Sequence, residues 1–414
     1  MIIWDSFTQI QKLGSLLEVI MFVPVLETMF DPNMIIIFLI AVSCVIIGGY
    51  WSGITQLDKF MGMVRGRSRG RGGGTNSEEE EKKDKASKKR LYLATVIFFV
   101  LICTFIVLLY FFYDYLVYVL IGLFVIAGSS GLYCCLKPIL SRMIPVSCRV
   151  PQNNVPCFRS RPDVKHMFLF GLCLAVGIFW AVQRKAEYAW ILQNILGYTF
   201  CINMLRTVHL PSLKFCTILL ILLFVYDVFF VFITPLFTSN HNSIMEDVAD
   251  GDKSSTGEKI PSVFLVPQLT RDAVSACYQQ YTLLGFGDIF VPGLLAGYSH
   301  AFDLIVKSSR VYFIGVCIAY AVGLVITFVA LAVLKTGQPA LFYIVPCTLV
   351  TVFLIGWKRQ EVKQLWTGKI QCREVDVEHS QGHEEANTGS AESVRSEVSS
   401  NSNEENESSP LLRK

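Results

Sequence analysis

Charge is scarce in this chain. Asp, Glu, Lys and Arg make up 17% of its 414 residues, against 53% hydrophobic ones. A water-soluble fold of this size does not need so much apolar sequence, so the composition argues for an integral membrane protein in contact with lipid. The net charge of +3 says little, because the charges are clustered. It gives no ground for a nucleic-acid partner. Cysteine pairing is missing as well. Cys44, Cys103, Cys173, Cys201, Cys216, Cys317 and Cys347 sit inside apolar runs and read as small buried hydrophobes. Cys134 and Cys135 are adjacent, with no second CxxC-type partner. Neither a disulfide framework nor a zinc pattern emerges, and no metal or other cofactor is expected.

What is present is long apolar runs. A span needs about 20 mostly apolar residues to cross a bilayer. Nine stretches qualify, at 34–53, 91–112, 115–136, 167–183, 188–205, 214–236, 281–299, 311–334 and 338–357. The fourth, fifth and seventh are the weakest. Backbone groups in lipid must be paired within the segment, so an all-α polytopic fold of nine transmembrane helices is expected.

Lys and Arg set the orientation. The loop 54–90 holds eleven of them and 137–166 holds six; shorter loops after the fifth and seventh spans carry Arg206, Lys307 and Arg310. These belong on the cytosolic side. The loop after the sixth span has three bases against six acids and belongs in the lumen. Arg184 and Lys185, after the fourth span, break the pattern mildly. The N-terminus is then lumenal and the C-terminus cytosolic. Residues 1–33 lack a basic leader and a clear cleavage site, so the start reads as a truncation or an isoform. Residues 65–90 mix Gly with dense charge and read as a flexible linker, with a basic patch on anionic lipid as the other reading.

Only two acids lie well inside the spans: Asp227 in "FVYDVFFVF" and Asp288 in "GFGDIF". A charged group at mid-bilayer costs roughly 2.5–3.5 kcal/mol even on the lenient insertion scale, so each calls for a function. They lie on consecutive spans, which often pack side by side. Two carboxylates close together share one proton, giving a general base and a general acid for peptide hydrolysis. A proton- or cation-coupled transporter or leak channel would use the same acids, and an idle scaffold for membrane stubs is a third reading. Tyr226 precedes the first acid. Gly285 and Gly287 flank Phe286 before the second, where missing Cβ atoms permit close approach. In "GQPALFYIVP", Pro339 delays the ninth helix or frees an earlier carbonyl, leaving backbone groups for an extended substrate.

YD, GxGD and PAL, in this order on the sixth, seventh and ninth spans, resemble the GxGD intramembrane aspartyl proteases, which include presenilin and the signal peptide peptidases. The resemblance implies that Asp227 and Asp288 are the catalytic dyad. It also implies that Gln338, Pro339, Ala340 and Leu341 shape the active site beside Tyr226, Gly285, Phe286 and Gly287. The orientation favours the signal peptide peptidase branch, which cleaves membrane segments of type II orientation. "IIGGYWSG", "LLGFGDIFVPGLL", "SSRVYF", "ITFVALAVL" and "GQPALFYIVPCTLVT" resemble the signal peptide peptidase-like 2 subfamily, of the 2A type, over residues 33–368. Such proteins carry a lumenal protease-associated domain, of which residues 1–33 resemble a remnant.

The expected map is a lumenal remnant at 1–33, a first bundle at 34–205, a catalytic region at 206–357 and a disordered cytosolic tail at 358–414. In the tail, Glu407, Leu411 and Leu412 fit an acidic dileucine sorting signal read by clathrin adaptors. That directs the chain to late endosomes and lysosomes, with the plasma membrane as a second location. Type II protein stubs are the expected substrates, and a homo-oligomer is a further expectation.

Overall fold

Apolar runs in lipid fold as helices because no water is there to pair the backbone. The structure is a computed structural model, and it describes residues 31–69, most of 89–144, 163–233, 258, 260–268, 281–334 and 338–368. Most of the expected N-terminal remnant at 1–33, most of the charged linker and the expected sorting signal at Glu407, Leu411 and Leu412 lie outside the described residues.

Helix occurs in every predicted span. In chain order the helices are α1 (Pro32–Arg69), α2 (Phe99–Leu109), α3 (Tyr113–Met143), α4 (Val164–Val182), α5 (Ala189–Thr207), α6 (Leu213–Val228), α7 (Gly287–Ile305), α8 (Val311–Leu334), α9 (Ala340–Arg359) and the short α10 (Val362–Thr367). A π-helical turn, Phe229–Ile233, continues α6. The loop expected from residue 54, and the first residues of the linker expected at 65–90, are helix, since α1 runs on to Arg69.

Six of these are long and apolar enough to cross a membrane: α1, α3, α4, α6 with its π-helical turn, α8 and α9. The helices α5 and α7 fall short for a physical reason. Neighbours enclose α7, with Ile289 and every residue from Val291 to Asp303 buried. A helix surrounded by protein can carry polar groups that lipid would not tolerate, here Ser299, His300 and Asp303. Likewise α5 buries Gln193, Asn194 and Thr199. Small residues let α1 approach α7: a Cβ on Gly53 would lie 2.2 Å from Nδ1 of His300. That imidazole instead meets the Tyr50 carbonyl at 3.0 Å.

One expected span is corrected locally. Residues 281–285 form a strand, not helix. Strands β1 (Val263–Pro267) and β2 (Tyr281–Gly285) pair antiparallel, with Val263 opposite Gly285 and Leu265 opposite Leu283. Tyr281 and Thr282 favour extended backbone, and the helix starts only at Gly287.

Contacts between loops gather at two ends. At one, Lys59 Nζ lies 3.2 Å from His209 Nδ1, Gln56 donates to the Leu210 carbonyl at 3.0 Å, and Arg359 bonds Ser308. The Tyr298 hydroxyl donates to the Leu365 carbonyl there, at 2.8 Å. At the other end, the Tyr113 hydroxyl donates to the Glu258 carbonyl at 2.9 Å. Arg184 donates to both carboxylate oxygens of Glu258, at 2.8 and 2.9 Å, and Lys185 Nζ lies 3.3 Å away. These bonds, Arg184's first, hold Glu258 below the usual carboxylate range. The two bases that broke the charge pattern are therefore matched by an acid from the next acidic loop.

Candidate functional site

The first acid owes its place to the apolar run of α6, which ends in Tyr226 and Asp227, both buried. The π-helical turn begins two residues later, a distortion often found at functional sites. Tyr226 packs on Phe230, ring centroids 4.7 Å apart. Asp227 meets the start of α9. Pro339 cannot continue a helix backwards and stands in extended conformation (φ −69°, ψ 110°), so α9 opens at Ala340 with no side-chain cap of its own. Its first N–H groups have no partner within the helix. One of them, on Leu341, donates to Asp227 Oδ2 at 3.2 Å. The PAL segment and the YD segment are thus joined by a hydrogen bond from a helix N-terminus to a carboxylate.

Asp288 lies in the first turn of α7, half-buried, directly after the strand β2. A Cβ on Gly285 would stand 3.3 Å from Asp288 Oδ2, so the absent side chain makes room for the carboxyl group. Asp227 and Asp288 lie within electrostatic reach of each other. No such crowding occurs at Gly287, which is exposed and has open space around it. Phe286 turns away into an aromatic cluster, with Phe264 at 4.7 Å and Phe124 and Phe200 at 6.0 Å. Gln338 Oε1 accepts from the Tyr343 hydroxyl at 3.3 Å, while Ala340 and Leu341 are buried. The residues read from the sequence are therefore not all brought to one point. Asp227, Asp288, Gly285 and Leu341 converge on the carboxyl groups. Phe286 packs in the aromatic cluster, and Gln338 bonds the Tyr343 side chain.

Two features escape a reading of motifs. Tyr320 on α8 is fully buried within electrostatic reach of Asp288, and its hydroxyl has no hydrogen-bond partner among the described residues. Gln193 and Asn194 on α5 bond the backbone of β1. A polar group in an apolar span was the available signal in both cases, since burying one is costly. Among the described residues, no three His, Cys, Asp or Glu side chains gather to hold a metal ion.

Comparison with known proteins agrees with the geometry. A family model described as signal peptide peptidase matches residues 81–371. Signal peptide peptidase-like 2B of Rattus norvegicus is 46% identical over 83% of this chain and 58% of its own length. Signal peptide peptidase-like 2A of Homo sapiens is 45% identical over 86% of this chain and 66% of its own. The human 2C protein is 38% identical over 84% of this chain and 52% of its own. The 2A and 2B identities are alike and do not separate those two types. The chain spans about three fifths of the length of the 2A and 2B relatives. It belongs to the signal peptide peptidase family, within the signal peptide peptidase-like 2 group.

Proposed function

We propose that this chain is an intramembrane aspartyl protease that hydrolyses peptide bonds within the membrane segments of type II protein stubs. The observation that carries this reading is the hydrogen bond from Leu341 N–H to Asp227, with Asp288 in electrostatic reach, because it brings the YD, GxGD and PAL segments to one place. Negative charge at Asp227 is favoured by the N-terminus of α9. Asp227 therefore acts as the general base and takes a proton from the attacking water. Asp288 is the acid that protonates the carbonyl oxygen; as the tetrahedral intermediate collapses and the C–N bond breaks, Asp227 passes the proton it took from water to the leaving amine, and Asp288 recovers its own from the gem-diol hydroxyl. Neither a covalent intermediate nor a cofactor enters this scheme.

The end of the bundle holding Arg184, Glu258 and Tyr113 faces the lumen, and the end holding Lys59, His209 and Arg359 faces the cytosol. Charge supports this orientation, since the basic loops belong to the second end. The tail signal at Glu407, Leu411 and Leu412 places the protein in late endosomes and lysosomes through clathrin adaptors. The acidic lumen there suits a dyad that holds one proton.

A photoreactive transition-state analogue of aspartyl proteases tests the reading on the reconstituted chain. Labelling of the wild type and its loss in Asp227→Ala and Asp288→Ala are expected. Labelling that persists in either variant, or ion flux through liposomes that the analogue leaves unchanged, would favour a transporter instead.

A further inference from the structure

One face of α5 meets the strand pair that leads into α7. Asn194 Nδ2 donates to the Leu265 carbonyl at 2.7 Å, and its Oδ1 accepts the Leu265 N–H at 3.0 Å. Gln193 Nε2 donates to the carbonyls of Val263 and Pro261, at 3.0 and 3.4 Å. Asn194 thus offers the outer edge of β1 the paired donor and acceptor that a neighbouring strand would supply. Both amides are buried, where a slipped bond leaves a polar group unpaired. The clasp therefore fixes Leu265 in place. Through the ladder, Leu265 fixes Leu283, and Val263 fixes Gly285, three residues before Asp288.

The same face accommodates Phe286. Gly197 lies one turn beyond Asn194, and a Cβ there would stand 2.4 Å from the ring of Phe286. Phe124, Phe200 and Phe264 close around that ring. The Phe286 N–H donates to the Ser262 carbonyl at 3.2 Å. The backbone is thus held on the β1 side and at Phe286 immediately before the helix that carries Asp288 begins.

We infer that this face of α5 sets the position of Asp288, with Asn194 as a positioning residue for the dyad. Asn194 acts through β1, β2 and Phe286 rather than by touching substrate. The inference rests on the proteolytic reading above. Its consequence is kinetic: a reacting group displaced by about 1 Å loses on the order of a hundredfold in rate.

The test uses the full chain in liposomes with one type II stub, following kcat and KM separately. Asn194→Leu keeps the size and removes both bonds to Leu265. Asn194→Asp keeps the acceptor and donates to the Leu265 carbonyl only when its carboxyl group is protonated. We expect Asn194→Leu to lower kcat by about tenfold to a hundredfold at every pH, with KM within about twofold. Asn194→Asp should match that loss near neutral pH and recover relative to wild type as the pH falls. Taking the ratio to wild type removes the dyad's own pH dependence, and scaling kcat to the fraction of protein that stays assembled at each pH separates positioning from a folding defect, which protonation of a buried carboxylate would also relieve. Wild-type kcat in Asn194→Leu, or a ratio for Asn194→Asp that stays flat with pH, overturns the inference. If Asn194→Leu fails to assemble, the pH profile of Asn194→Asp decides alone. An inactive wild type defeats the proteolytic reading as well, whereas an active wild type with unaffected variants defeats only the role of Asn194.

Discussion

Replacing Glu258 with Gln tests how the end of the bundle that carries Arg184 is tied together. The Glu258 side chain is 5% exposed and accepts two bonds from Arg184, with Lys185 beside it. Gln keeps the size but loses the charge and one acceptor. Well-shielded bonds to a charged group contribute about 1.5–3 kcal/mol each. Arg184 is 27% exposed and Lys185 69% exposed, so solvent screens the pair. A net loss of about 2 kcal/mol is the resulting expectation. Arg184 holds Glu258 below the usual carboxylate range, so the folded state binds its proton more weakly than the unfolded state. The contribution is complete above the unfolded value, about 4.3, and disappears as the pH falls through the lower folded value. Unfolding of wild type and Glu258→Gln in nanodiscs should therefore differ by several degrees near neutral pH. The two should converge only as the pH falls below the lowered folded value of Glu258. Equal stability near neutral pH, or a gap that persists in acid, would refute the reasoning.

Other substitutions probe other joints. Gly131→Val places a side chain where even a Cβ would lie 2.7 Å from the Thr199 carbonyl oxygen and 2.8 Å from the Phe200 nitrogen. Backbone cannot swing aside as a side chain can, so a loss of about 1–3 kcal/mol should appear as a lower melting temperature in nanodiscs. Asp303 Oδ2 accepts the Phe313 N–H at 2.8 Å near the start of α8. Asp303→Ala should cost about 1–2 kcal/mol and speed hydrogen exchange in the first turn of α8. Leu411→Ala with Leu412→Ala should move the protein from lysosomes to the cell surface, measured by surface biotinylation, with cleavage in liposomes unchanged.

Much of the fold was legible because lipid makes such narrow demands. The run 311–334 coincides with α8, and acids are so rare in the spans that Asp227 and Asp288 stood out without any structure. The π-helical turn after Asp227 leaves no mark in a run of Phe and Val. Nor does the strand 281–285, because "YTLLG" is equally apolar as helix or strand. The fourth, fifth and seventh spans looked weak for being short or Gly-rich; α4 is apolar enough to cross a membrane, whereas α5 and α7 bury polar residues against protein, which hydropathy alone cannot register. Arg184 and Lys185 looked like exceptions until Glu258, 74 residues beyond Arg184, was seen beside them. Asn194 bonds a strand from another segment and Tyr320 lies near an acid of another helix, so their surroundings arise only on folding.

Cleavage of one type II stub by the purified, reconstituted chain, with Asp227→Ala and Asp288→Ala alongside, is the most direct measurement. Release of the cytosolic fragment by the wild type, and its abolition in both variants as they remain assembled, is the predicted result. A cytosolic fragment still released by either variant would contradict a mechanism that needs both carboxyl groups.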